Sequence, residues 1–122
     1  MPTWGADTSG GTQLTTVDDV TEEFFNTIDA KAVLETQVEV LVNNESGSVT
    51  NGLIVSVYLT LDATSEDWDD FAWISFTIVP AGIAEEKKSF KIPSCFKWRI
   101  GCLAAAATDD YTVDMNFRER TA

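Results

Sequence analysis

Five stretches of this chain alternate apolar with polar residues at period two. The clearest sets Leu53, Val55, Val57, Leu59 and Leu61 against Ser56, Tyr58 and Thr60, and the last sets Tyr111, Val113, Met115 and Phe117 against Thr112, Asp114, Asn116 and Arg118. Strand side chains point alternately to opposite faces, so each stretch makes one apolar face and one wet face. Strands of this kind must cover their apolar faces. With no long helical pattern between them, the solution is sheet packed on sheet.

The other strands follow the same reading. Leu34, Val38, Val40 and Val42 oppose Glu35, Gln37 and Glu39; Ile74, Phe76 and Ile78 point inward from 73–79; Phe90 and Ile92 mark a short strand stopped at Pro93. Residues 96–102 place Phe96, Trp98, Ile100 and Cys102 on one face and Lys97, Arg99 and Gly101 on the other. Residues 22–29 are either a short strand or a turn of helix. The expected fold is all-β: a single antiparallel β-sandwich of seven to eight strands, immunoglobulin-like or jelly-roll. Its expected core holds Val38, Val40, Val55, Val57, Leu59, Phe76, Trp98, Ile100, Val113 and Phe117. A chain of 122 residues is one domain by size. Residues 1–20 read either as a floppy tail or as an N-terminal arm or extended segment that orders on a partner, and residues 21–122 as a sandwich that folds without it.

The formal charge of −12 is unevenly spread. Residues 1–86 hold sixteen acids and one base, a net of −15, whereas residues 87–122 hold seven bases and four acids, a net of +3. Such a surface repels phosphate backbones and anionic lipid, so neither nucleic acid nor membrane is an expected partner. No apolar run approaches the roughly 20 residues that span a bilayer. Cys95 and Cys102 on one strand would lie about 23 Å apart, on opposite faces. A disulfide needs less than about 7 Å, so two free thiols are expected, as in a reducing compartment.

Catalytic chemistry finds little to work with. There is no His, no nucleophile elbow and no Gly-rich phosphate loop, so no enzyme and no cofactor are expected. With only two cysteines, a zinc site is not expected either. The acidic loop Asp62 to Asp70 has carboxylates for calcium but neither the spacing nor the glycine of an EF-hand, and no metal is assigned to it. Trp68 and Trp73 flank this loop. Trp73, with Leu41 and Ile54, falls on a wet face, which is either covered by a loop or arm or is a subunit interface, where aromatics are enriched. Interface candidates are Trp4, Phe24, Phe25, Trp68, Trp73, Lys97, Arg99, Arg118 and Arg120, the four bases being available for acids on a neighbour.

The segment Val55 to Asp62, the tip Asp67-Trp68-Asp69-Asp70 and the strand Ile74-Ser-Phe-Thr-Ile78 resemble small β-sandwich proteins from the structural gene cluster of tailed bacteriophages. Trp98-Arg99-Ile100-Gly101, the turn Thr108-Asp109-Asp110 and Val113 to Arg118 extend the resemblance, which covers about residues 33–118. It implies a virion structural protein assembled in the host cytoplasm, most plausibly a capsid decoration or cement protein, otherwise a tail or neck component. The implied partners are the major capsid protein or other virion proteins, and further copies in a homo-oligomer. The same hairpin tip resembles the turn of discoidin-type jelly rolls, which implies carbohydrate binding as the alternative.

Overall fold

The computed structural model describes residues 2–45, 51–60, 68, 71–80, 85–106 and 109–122. Among them there are strands and no helix. In chain order these are β1 (Thr3–Trp4), β2 (Thr8–Ser9), β3 (Leu14–Val17), β4 (Glu23–Phe24), β5 (Ile28–Asp29) and β6 (Glu35–Asn44). They continue with β7 (Leu53–Thr60), β8 (Ile74–Ile78), β9 (Glu85–Ile92), β10 (Lys97–Ala104) and β11 (Tyr111–Thr121).

The short strands join end to end. β1, β2 and β3 all pair with β11, forming one interrupted edge of the first sheet, which continues through β11 and β6 to β9. β4 and β5 both pair with β10, forming the interrupted edge of the second sheet, which continues through β10 and β7 to β8. Every pairing is antiparallel. With each interrupted edge taken as one strand, the first position pairs with the last, the second with the seventh, the third with the sixth and the fourth with the fifth. That nesting is the jelly-roll order. An immunoglobulin sandwich would pair its first strand with its second instead.

The core lies between the sheets and follows the period-two pattern. Val38, Val40, Val55, Val57, Trp98, Ile100, Val113 and Phe117 are buried, while Leu59 and Phe76 are half-buried against them. Trp98 of β10 meets Phe117 of β11 edge to face, with ring centroids 5.3 Å apart. At the other side of the sandwich, Phe76 of β8 meets Phe90 of β9 at 5.3 Å. Such pairs contribute roughly 1 kcal/mol beyond their burial.

Three details depart from the sequence reading. The tenth strand begins at Lys97, so Phe96 lies outside it and is 37% exposed rather than part of the core. β9 starts at Glu85, because an edge strand tolerates charge on both faces and so hides its period. Residues 2–17 are extended along β11: Gly5 N–H donates to the Glu119 carbonyl at 2.8 Å and Gly10 N–H to that of Met115 at 2.7 Å. Val17 at the end of this segment is fully buried, so the segment contributes to the core of the first sheet.

One polar cluster ties the start of β7 to the start of β11. The Tyr111 hydroxyl accepts from Gly52 N–H at 3.0 Å and donates to Asp109 Oδ2 at 3.3 Å, which also accepts from Asn51 N–H at 3.1 Å. Gly52 holds φ at 113°, and a Cβ there would stand 2.6 Å from Thr77 Cγ2. Only glycine combines that backbone with that approach.

Both cysteines are free and buried. Burial pushes the Cys95 thiol up to about 11, and burial reinforced by Glu22 pushes Cys102 up as well. The thiolate is the reactive form. Iodoacetamide at pH 8 should therefore leave the folded protein unlabelled and modify two cysteines once it is unfolded without reductant. Intact mass spectrometry checks this, and an unfolded chain two mass units light with no label would show a disulfide.

Candidate functional site on the outer face of the second sheet

The two outer faces differ in chemistry. On the first sheet, Glu39 pairs with Lys87 at 3.6 Å, and Glu35 with Lys91 at 3.7 Å and Arg120 at 3.4 Å. Arg118 Nε donates to Gln37 Oε1 at 2.7 Å, and its guanidinium lies 5.1 Å from the Trp4 ring, with that of Arg120 at 6.0 Å. Three interface candidates, Trp4, Arg118 and Arg120, therefore form one cluster in which each base already has a partner within the chain.

The outer face of the second sheet is aromatic. β10 places Arg99 directly opposite Tyr58 of β7, and Gly101 opposite Phe24 of β4. The Arg99 guanidinium lies 4.2 Å from the Phe24 ring, 4.6 Å from Trp68 and 5.7 Å from Tyr58. Phe24 and Tyr58 themselves are 5.9 Å apart. Each cation–π contact is worth roughly 0.5–2 kcal/mol as water is excluded. Tyr58 donates to both oxygens of Glu22, at 2.8 and 2.9 Å. Glu22 can lie across β10 only because residue 101 is glycine; a Cβ there would meet its Cδ at 2.6 Å. Burial, then the hydrogen bond to Glu22, raises the Tyr58 phenol above its ordinary value.

Trp73 stands beside this sheet's edge, just before β8, where its N–H donates to the Val57 carbonyl at 2.8 Å, and it is 46% exposed. The structure thus brings three interface candidates, Phe24, Trp68 and Arg99, onto one face, adds Glu22 and Tyr58, and leaves Trp73 exposed at the sheet's edge. For Tyr58 and Arg99 the available signal was wet-face parity. Phe25 does not join them: its N–H donates to the Ile100 carbonyl and its side chain is buried in the core. Lys97 stands at the far end of β10, opposite Asp29 and Thr60.

Among the described residues, no three His, Cys, Asp or Glu side chains gather as metal ligands. Apart from Trp68, the acidic loop 62–70 lies outside the described residues. No helix among the described residues is long and apolar enough to cross a membrane.

No protein-family model and no curated protein sequence matches this chain. Solved structures do. The chain is similar to that of Bacillus endospore appendages, a family of disulfide-linked pili, with 10% identity and TM-score 0.55 over 100% of this chain and 92% of that one. It is similar to the SPBc2 prophage-derived protein YomS, with 13% identity and TM-score 0.52 over 99% and 96%. It is also similar to a chain of the T13 particle of infectious bursal disease virus, with 12% identity and TM-score 0.56, covering 98% of this chain and 31% of that one. At these identities the likeness is one of fold. The chain is a β-sandwich of the architecture used by a prophage-derived protein, a viral particle and a pilus.

Proposed function

We propose that this chain is a non-enzymatic structural protein of a bacteriophage virion, one that decorates and cements the capsid through the outer face of its second sheet. The observation that carries the reading is that face. Phe24 remains 38% exposed there, beside a guanidinium held among rings, and Trp73 is 46% exposed at the sheet's edge. Exposed aromatic residues around an anchored arginine are the composition of interface hot spots. The first sheet's outer face offers ion pairs instead, which favour solvent. The full-length match to a prophage-derived protein and the fold shared with a viral particle support the setting.

Mechanistically, the protein adds contact across joints between shell subunits, so that rupture must expose buried surface. A specific contact of this kind covers at least about 1,000 Å² in total. Sedimentation with purified particles tests it. Trp73→Ala and Phe24→Ala should each weaken binding at least roughly tenfold, as loss of a hot-spot aromatic does. Lys87→Ala, on the opposite face, should bind as the parent does. Equal binding by all three variants would remove the second sheet's face as the contact. Binding to tails and not to shells would favour the tail or neck role. Retention on a glycan column with no particle binding would favour the carbohydrate-binding alternative.

A further inference from the structure

We propose that two copies of this chain join edge to edge through β8, antiparallel, about a twofold axis at Phe76. A sandwich of two open sheets has four edges, and a free edge presents unpaired backbone N–H and C=O groups to any strand that can meet them. Three of the four are blunted here. The β1–β3 and β4–β5 edges are broken into short pieces. β9 carries Lys87 and Lys91 on its outer side and Glu86 and Lys88 on its inner side, opposite Val42 and Val40. Charge on both faces of an edge strand is a recognised bar to further pairing.

β8 is unbroken over its five residues and carries no charge on either face. Among the described residues it pairs only with β7. It lies within Phe71-Ala-Trp-Ile-Ser-Phe-Thr-Ile-Val-Pro80, which contains none of the chain's twenty acids and eight bases. Phe71 and Val79, on either side of it, are 85% and 52% exposed. Two copies of net charge −12 repel overall, and an uncharged edge adds nothing to that repulsion. The five residues of β8 span roughly 17 Å, about twice a Debye length of about 8 Å, so the centre of the strand is clear of most of that repulsion.

The strand also matches itself. Ile74-Ser-Phe-Thr-Ile78 is palindromic in character, so antiparallel pairing centred on Phe76 sets Phe against Phe and Ile74 against Ile78 on the inner face. On the outer face it sets Ser75 against Thr77. Aromatic–aromatic and Ser–Thr cross-strand pairs are favourable. A twofold contact must be self-complementary, and this edge meets that requirement residue by residue. The partner strand would cover Ile74 and Phe76 and join the aromatic faces of both copies into one surface. Such a dimer would be the oligomer of the virion role above, on which only its setting rests.

Light scattering on the full chain at about 100 μM, well above a micromolar Kd, should give twice the monomer mass. Cysteine cross-linking then reads the register. Across the axis Ser75 faces Thr77 at a Cα separation of about 5 Å, whereas Ser75 stands about 8 Å from its own copy, beyond disulfide reach. An equimolar mixture of Ser75→Cys and Thr77→Cys chains should oxidise to a covalent dimer, while either variant alone should not. The double variant Ser75→Lys with Thr77→Lys should run at monomer mass with its melting curve retained. A parent of monomer mass, or cross-linking by a single variant as fast as by the mixture, would overturn the proposal. A monomer that binds particles would remove the dimer and leave the virion role. A cross-linked dimer that binds none would do the reverse.

Discussion

Val57→Asp should lower the stability of this chain by at least about 3 kcal/mol, which for a domain of this size is roughly 10 °C or more in Tm. Val57 is fully buried at the middle of β7, opposite Ile100 on one side and Ile74 on the other. A carboxylate there has no partner, and burying it unpaired costs far more than the lost apolar contact. Typical domains have only about 5–15 kcal/mol in all. Ser56→Asp is the control. Its side chain points outward, where it shares a 3.0 Å hydrogen bond with Ser75, and its loss should cost under about 1 kcal/mol. Urea denaturation of both variants measures the difference. Equal midpoints would mean that the two faces of β7 had been exchanged.

Deleting residues 2–20 should abolish cooperative unfolding, although the sequence alone suggested a dispensable arm. The segment closes the first sheet against β11, and its loss would strip the backbone bonds from Gly5 to Glu119, Gly10 to Met115, and Ala104 to Asp18. Each such bond contributes roughly 1 kcal/mol. Removing Val17 forfeits about 1.5 kcal/mol or more of apolar burial and opens the end of the core beside it. A thermal scan by circular dichroism should show a broad, weak transition in the truncated chain. A sharp melt within a few degrees of the parent would show that the segment merely rests on the sheet.

What the sequence could reveal follows from strand length and burial. β7, β10 and β11 sit within their sheets with one face packed, so each displays several alternations and was legible. β1, β2, β4 and β5 are two residues long, too short to show any period, and residues 1–20 consequently read as an arm. The jelly-roll order was not legible either. It depends on pairings such as Thr3 with Thr121, which no local pattern encodes. The aromatic face was half legible: wet-face parity placed Tyr58 and Arg99 together. That Phe24 faces out while Phe25 faces in depends on the register of β4 against β10, which two adjacent phenylalanines do not disclose.

Binding of the intact chain to purified phage particles tests the central claim most directly. A decorating protein should sediment with full shells at a fixed ratio to the major capsid protein and saturate. Because the proposed contact is mainly aromatic, that binding should persist when salt is raised from about 0.05 to 0.5 M, a change that screens charge pairs strongly. Failure to sediment with any particle, under conditions where the chain is folded, would contradict the virion role outright.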